Sequence, residues 1–534
     1  MKKRFLALLL VGCLLIVLGA CQTEQDELYS QAVEDQKSAA SVQPTADPND
    51  PDYLGDPTPL PGTAYTPVPN DDLQGELVIK SYVQTTSYSD RLDLLIEEFT
   101  RLHPGVEIHV DYHLSASQSL SSKEEWRMAK EQFRGNTQAE LASGEADYLL
   151  YGVSDILDMS SLSRNGILFD MASYWEKDPD IQEEEIYMPV LEACKIDGKM
   201  TAIPMSFSFP AVMFSQRLME EVGIDLTGVK AVSSTQLLDW YDQARESKPD
   251  LNLFFTSPGK DALFSTEKVD YMDVTAGTSS FQSSEFVDFL ERTNGVGNNE
   301  PDLSEDLIGY GYGSPGLARY WEEYRETGKI PLEVSMSLDA GFPQQDLVTR
   351  KAKEWFAVAS AESLYTFYTV QDPLPYLTQP YPLISSDGKL GISSYEDFAM
   401  PESLQNKDLA WEFIKYCLSA REDPTFYELT GFRWPYVAQG FPLNRENYRK
   451  MVEYIAAGNA YGSAIIGYPG NYKGIDPESL LAKLDEMLTC DPVNVNAYNV
   501  DVQEYLDEYY VNGLITAEEC ADKIQGRVEI WLNE

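Results

Sequence analysis

The three histidines of the chain are the first residues whose spacing suggests chemistry. His103, His109 and His113 fall in one short stretch, and on a predicted strand His109, Asp111 and His113 share one face. Imidazole and carboxylate groups on one face can bind a metal ion such as zinc. A polar strand face beside a helix or solvent explains the same pattern without an ion. We favour the polar face and predict no metal site.

Catalytic motifs are absent from the sequence. It contains no GxSxG, HExxH or EF-hand loop. With so few histidines, a histidine-assisted nucleophile has little support. The 87 acidic residues make chance carboxylate pairs common, so an Asp/Glu pair for glycoside hydrolysis stays open.

The stretch from Gly311 to Gly316 matches GxGxxG, the pattern of dinucleotide-binding loops. Such a loop needs a strand before it and a helix that begins at the third glycine. No clear strand precedes it and Pro315 interrupts it, so we interpret it as a flexible loop and predict no cofactor.

Cys21 follows a segment that has the features of a secretory signal peptide. Basic residues at 2–4 precede an apolar run at 5–18 and two small residues. Leu18-Gly-Ala-Cys21 resembles the lipobox of bacterial lipoproteins, in which the cysteine is acylated. We therefore predict a signal peptide at 1–20 and lipidation of Cys21, which would hold the chain at the outer face of the cell membrane.

The remaining cysteines show no metal-binding or disulfide pattern. Cys194, Cys417, Cys490 and Cys520 are far apart and have no CxxC spacing. Partly buried free thiols are the simplest interpretation, and a bridge between Cys490 and Cys520 stays open for an exported protein.

The formal charge of −47 over 534 residues argues against two classes of ligand. Such a surface repels nucleic acid and anionic lipid, so neither is expected as a partner. Residues 21–75 are rich in proline and aspartate and poor in large apolar side chains. We predict a lipidated, disordered tether that holds the folded part away from the membrane.

Folded structure is predicted to begin at Glu76. Strands around 77–79 and 106–112 flank a helix at 92–102 whose apolar residues share one face. This β-α-β unit implies a parallel sheet and an α/β fold. A helix at 126–143 and a strand at 148–151 follow. Further helices are predicted at 237–245, 286–292, 317–325, 409–418, 450–457, 502–514 and 517–532, and a strand at 355–359.

Several ordered segments resemble the family 1 extracellular solute-binding proteins of ABC importers, which include the maltose-binding proteins. The match is distributed over residues 76–534, with Ala146 and Ser215-Gln216 departing from the family pattern. The segments are 76–79, 98–108, 143–150, 197–204, 211–225, 391–394, 405–415 and 516–528.

This resemblance implies a two-lobed periplasmic-binding-protein-like (type II) α/β fold with a hinge and an interlobe cleft. It places lobe 1 at 76–203 plus 391–443, and lobe 2 at 204–390 plus 444–534. It implies a receptor that captures a small solute, delivers it to an ABC permease and catalyses no reaction. We expect a monomer whose solute is a sugar or oligosaccharide.

Cleft residues are carried over by resemblance, one position at a time. Tyr151 matches a stacking aromatic, and Ser154 and Ser208 match polar contacts that are acidic in the maltose-binding proteins. Tyr82 and Gln84 follow the first strand, and Glu362 matches a ligand-facing position. Trp434 is proposed only as an aromatic in a loop.

Two other functions stay open at the level of sequence. One is a lipid-anchored carbohydrate-active hydrolase that uses an Asp/Glu pair. The other is a surface sensor with a binding-protein fold. The replacements at Ser154 and Ser208 also argue against maltodextrin as the solute.

Overall fold

The structure is a computed structural model. It describes residues 73–83, 90–114, 123–214, 216–249, 252–254, 259–294, 296, 355–360, 378–419, 440–456 and 476–533. Its elements form a mixed α/β fold, in agreement with the predicted class.

The first lobe is built on a four-stranded sheet in the order β13-β3-β1-β2. Its strands are β1 (Gln74–Val83), β2 (Gly105–Leu114), β3 (Leu149–Tyr151) and β13 (Phe398–Ala399). β1 pairs in parallel with β2 and with β3, whereas β13 is antiparallel to β3. The predicted β-α-β unit is therefore confirmed.

Helices of the first lobe cover this sheet with apolar side chains. Leu92, Leu95 and Phe99, spaced for one helical face, are buried on α1. Up to residue 203, the helices are α1 (Asp90–Leu102), α2 (Lys123–Ser143), α3 (Met159–Arg164), α4 (Ala172–Trp175) and α5 (Met188–Ala193).

The second lobe has its own five-stranded sheet in the order β6-β11-β5-β10-β7. Its strands are β5 (Ala211–Phe214), β6 (Val232–Ser233), β7 (Asn252–Phe254), β10 (Trp355–Ser360) and β11 (Tyr381–Ile384). β5 is antiparallel to β10 and β11, and the other pairs are parallel. A small hairpin of β8 (Met272–Asp273) and β9 (Thr278–Ser279) stands apart from it.

The helices of the second lobe pack around a separate apolar cluster. It includes Phe214, Tyr241 and Phe286, together with Ile524 from the end of the chain. The helices are α6 (Gln216–Val222), α7 (Ser234–Ser247), α8 (Gly259–Glu267), α9 (Ser284–Asn294), α13 (Gln503–Leu506) and α14 (Ala517–Asn533).

A third sheet joins the lobes. Its order is β14-β4-β12-β15, from β4 (Ser206–Ser208), β12 (Lys389–Tyr395), β14 (Phe441–Pro442) and β15 (Asp491–Asn494). Gly440 precedes β14 with φ +91°, and a Cβ there would lie 2.3 Å from the Phe207 carbonyl oxygen. Glycine is thus required for β14 to approach β4. We refer to this sheet as the connecting sheet.

Packing around Asn444 differs from the predicted lobe assignment. After α10 (Lys407–Leu418), the helices α11 (Arg445–Ala456) and α12 (Pro477–Met487) bury Tyr448 and Leu484 in the first lobe's cluster. The second cluster resumes at Val502. Apolar periodicity predicts that a helix has a buried face, but not which lobe buries it. The lobe boundaries themselves stay predictions.

Other elements agree with the sequence except in one C-terminal segment. The helices predicted at 237–245, 286–292, 409–418, 450–457 and 517–532 and the strand at 355–359 are confirmed in slightly different bounds, and the helix at 317–325 lies outside the described residues. The helix predicted at 502–514 is confirmed at residues 503–511, but it is not an α-helix throughout. α13 gives way to a π-helix at Asp507–Val511, where Asn512 N–H donates to the Asp507 carbonyl oxygen at 3.0 Å.

The four described cysteines are free thiols. Cys490 packs at the edge of the first cluster and Cys520 lies in the second, where its thiol donates to the Tyr505 carbonyl oxygen at 3.4 Å. The possible bridge between them is therefore absent. Within the described ranges, no helix is long and apolar enough to cross a membrane.

Candidate functional site

The carboxyl ends of strands from both lobes meet the connecting sheet. In the first lobe, β3 ends at Tyr151, which pairs with Phe398, shortly after β12. In the second lobe, β10 ends at Ser360, which pairs with Ala211, shortly after β4. Loops at the carboxyl ends of strands are the usual ligand-binding edge of α/β sheets. The candidate site is therefore the space between the lobes, with the connecting sheet as its base.

A buried polar cluster lies where the first lobe meets this base. The Ser154 hydroxyl donates to Asp397 Oδ1 at 2.6 Å, and Asn496 Nδ2 donates to Ser154 Oγ at 3.0 Å. Asn496 Nδ2 also donates to the carbonyl oxygen of Ser394 at 2.8 Å. Gly152 N–H donates to the Asp397 carbonyl oxygen at 2.8 Å. The cluster ties the end of β3, the end of β12 and the segment after β15 together.

The Asp397 carboxyl is the unusual member of this cluster. The residue is 2% exposed, and its Oδ2 has no hydrogen-bond partner among the described residues. Burial raises the pKa of Asp397 to about 6, although the Ser154 hydrogen bond works in the opposite direction. Asp397 and Cys194 line a small pocket with room for about one water molecule, much too small for a sugar. The pocket lies where the first lobe meets the connecting sheet and is not a solute site.

The rim of the first lobe is formed by α2 and the loop after β3. Lys130 Nζ lies 3.1 Å from Asp155 Oδ2, and Arg134 Nε donates to the Ile156 carbonyl oxygen at 2.9 Å. The Tyr82 hydroxyl donates to the Trp126 carbonyl oxygen at 3.4 Å. These contacts fasten the N-terminal half of α2 to the carboxyl edge of the sheet.

Four of the predicted contacts lie in the described residues. Tyr151 is half-buried, with its ring 4.9 Å from that of Phe398. Ser154 is buried in the polar cluster, and the Ser208 hydroxyl is buried and shares a hydrogen bond with Tyr395 Oη at 3.1 Å. Tyr82, predicted in the loop after the first strand, lies within β1 instead, where it is 8% exposed and packs on Phe133.

The structure brings Tyr151 and Ser154 together at the end of β3, and Ser208 lies on the connecting sheet. Of these four, Tyr151 keeps the most accessible side chain. The role of each in binding stays a prediction. Gln84, Glu362, Trp434 and Cys21 lie outside the described residues.

Sequence reasoning missed three residues at this edge: Asp397, Asn496 and Trp126. No short motif identifies the first two, because Asp397 and Asn496 are 243 and 342 positions away from Ser154 in the sequence. Trp126 could have been identified from the sequence, because it is a tryptophan in the first turn of a highly charged helix that follows a strand.

The three histidines do not converge. His103 packs on Phe99, His109 Nε2 lies 3.0 Å from Glu107, and His113 stacks against Tyr82. Across the part of the chain that the structure describes, no three His, Cys, Asp or Glu side chains form a group that could hold a metal ion.

Comparisons with known proteins gave structural likeness without sequence likeness. No protein-family model matches the chain, and no curated protein matches it significantly. Among solved structures, it is similar to an extracellular solute-binding protein family 1 from Alicyclobacillus acidocaldarius, with 12% identity and a TM-score of 0.49 over 87% of this chain and 100% of that one.

Two further solved structures were matched with their ligands. An ABC substrate-binding protein from Listeria monocytogenes in complex with cycloalternan has 13% identity and a TM-score of 0.46, over 86% of this chain and 99% of that one. An ABC transporter solute-binding protein from Agrobacterium vitis with bound D-mannitol has 14% identity and a TM-score of 0.45, over 86% and 98%. Because these TM-scores are below 0.5, we base the fold on the chain's own sheets and cores.

Proposed function

We propose that this chain is the solute-binding component of an ABC importer. It captures a small solute between its two lobes and delivers the solute unchanged to a permease. One observation carries the proposal: two separately cored α/β lobes place the carboxyl ends of their strands against one connecting sheet. Such an arrangement lets the lobes close on a ligand by bending at the strands that join them. Closure requires that the solute bind the closed state better than the open one.

A carbohydrate is the solute class that we propose. A sugar offers hydroxyl groups at its edge and a flat apolar face, so it needs an aromatic surface flanked by polar groups. Half-buried Tyr151 ends β3, and exposed Asp155 lies a few residues beyond it. This pairing of an aromatic with a carboxylate supports a sugar over a purely apolar solute.

The proposed location is the outer face of the cell membrane. Acylation of Cys21 would attach the chain there, and residues 22–75 would act as a spacer. The basic residues and the apolar run before Cys21 support this part of the proposal.

Binding and closure can be tested together with the full chain in detergent. Thermal unfolding and calorimetry would be measured with glucose- and xylose-based oligosaccharides, mannitol, amino acids and short peptides. A sugar at a concentration of about 100 times its Kd should stabilise the folded chain by about 2.7 kcal/mol. Small-angle scattering should then show a smaller radius of gyration, as the lobes close.

Chemical analysis of the recovered sugar separates binding from catalysis. We expect the oligosaccharide to be unchanged after prolonged incubation. Turnover would favour the hydrolase instead, and binding only of peptides or amino acids would contradict the carbohydrate proposal. Loss of sugar uptake on deletion of the permease, with this chain intact, distinguishes an importer from a sensor.

A further inference from the structure

An exposed tryptophan stands at the rim of the first lobe. Five large apolar side chains are exposed in the described part of the chain, and Trp126, which is 43% exposed, is the only aromatic among them. Tryptophan is usually well buried, so an accessible indole at a ligand-binding edge needs an explanation. The hydrogen bond from the Tyr82 hydroxyl goes to the backbone carbonyl oxygen of Trp126, so it does not involve the indole.

The topology places Trp126 at the edge where a ligand would bind. α2 follows β2, so its first turn lies at the carboxyl end of the parallel strands. Side chains of a helix lean towards its N-terminus, which directs the indole beyond this edge rather than back along the sheet.

The rim is rigid enough to present a side chain in a fixed position. Lys130 and Arg134 bind the loop after β3. Phe133, on the same helix, packs against Tyr82 on β1. Phe133 is 1% exposed. A site built on a helix that is fixed at several points loses little freedom when it binds.

Charged side chains follow Trp126 along α2. Arg127 Nη1 lies 2.6 Å from Glu131 Oε1, and the side chains of both are about half exposed. The Lys130–Asp155 pair joins the same helix to the loop after β3. An apolar partner would have to desolvate these charges, whereas a ligand with an apolar face and hydroxyl edges would hydrogen-bond to them.

We propose that Trp126 is a stacking platform at the first-lobe rim and that the solute is an oligosaccharide that lays a pyranose ring on it. This inference rests on the proposed function and sharpens it from a sugar to a saccharide of several units. One unit would bind near Tyr151 and another would reach the rim at Trp126.

The test uses the full chain in detergent and calorimetric titration with α- and β-linked trisaccharides of glucose, xylose, mannose and galactose. The variants are Trp126→Ala, Trp126→Phe and a matched control, Leu514→Ala. Leu514 is 72% exposed and lies in the second lobe's C-terminal region. All variants should unfold at the wild-type temperature without sugar, because the substituted side chains are exposed.

We expect Trp126→Ala to weaken trisaccharide binding about tenfold, which corresponds to about 1.4 kcal/mol. Trp126→Phe should stay within about threefold of the wild type, since it keeps an aromatic face. Leu514→Ala should bind as the wild type does. The matching monosaccharide should be much less sensitive to Trp126, because it is too short to reach the rim.

The possible results separate the two proposals. If the wild type binds a trisaccharide and Trp126→Ala binds it equally well, the platform is overturned and the sugar receptor stands. If the monosaccharide loses as much affinity as the trisaccharide, the rim position is overturned. If the wild type binds none of the trisaccharides, both the platform and the carbohydrate receptor are overturned.

Discussion

One salt bridge and its hydrogen bonds join the connecting sheet to the second lobe, whereas a buried carboxylate with neutral partners joins it to the first lobe. At the second lobe, Asp270 accepts from Ser385 Oγ at 2.9 Å and from Asp387 N–H at 2.8 Å, and Lys389 Nζ lies 3.2 Å away. At the first lobe, Asp397 accepts from the Ser154 hydroxyl, and its second oxygen has no partner in the part of the chain that the structure describes.

This difference has a consequence for the response to pH. The Asp270 side chain is only 5% exposed, but its charge is compensated by a lysine. Glu267, close by, is buried with a raised pKa, yet it accepts from the Ser234 hydroxyl and from Ser386 N–H. Asp397 lacks a cationic partner among the described residues, so burial destabilises its ionised form relative to its protonated form. The comparison predicts a pH-sensitive junction at Asp397.

The largest effect is expected at the charge-paired junction. Asp270→Ala leaves Lys389 unpaired and releases the turn at 385–388, so we expect the free energy of unfolding to fall by about 4 kcal/mol. Denaturant titration at pH 7 would measure it. Asp387→Ala is the matched control, because its side chain is exposed, and it should cost less than about 0.5 kcal/mol. Equal losses for the two variants would contradict the pairing.

The next effect is the pH dependence of Asp397. Its pKa is about 6 in the folded chain against 3.8 ordinarily, so the folded state holds the proton more tightly than the unfolded state does. Its contribution to stability is therefore greatest below about pH 4 and falls as pH rises through about 6, by about 3 kcal/mol in all.

Asp397→Asn removes this titration. The difference in unfolding free energy between the variant and the wild type should shift by about 2.4 kcal/mol in the variant's favour between pH 4 and pH 7. A change in stability that the amide of Asp397→Asn causes at every pH is the same at pH 4 and pH 7, so it cancels when the two differences are subtracted. Parallel curves for Asp397→Asn and the wild type would refute the assignment.

A smaller effect is expected for Ser154→Ala. It removes the hydroxyl that donates to Asp397 and accepts from Asn496, so stability at pH 7 should fall by about 1.5 kcal/mol. Losing this donor should also raise the pKa of Asp397 further. Unfolding monitored across pH 4 to 8 would place the midpoint of the pH dependence above that of the wild type. An unchanged midpoint would show that Ser154 does not set the protonation of Asp397.

Local patterns in the sequence were sufficient for the individual elements. Alternating Val106, Ile108 and Val110 predicted β2, and the spacing of Leu92, Leu95 and Phe99 predicted α1. Both patterns depend on residues a few positions apart, and so did the signal-peptide features before Cys21. The α/β class followed because a strand, a helix and a strand in succession form a right-handed parallel unit.

Contacts between distant parts of the chain were decided only by the tertiary structure. A helical period shows that α11 and α12 have an apolar face, but the face could pack on either lobe. The polar cluster joins Ser154, Asp397 and Asn496, which no periodicity relates. A short-range pattern fixes local backbone structure, whereas the partners of a buried polar group depend on how the whole chain packs. The sequence thus determined the elements, and the packing decided which residues meet at the junction of the two lobes.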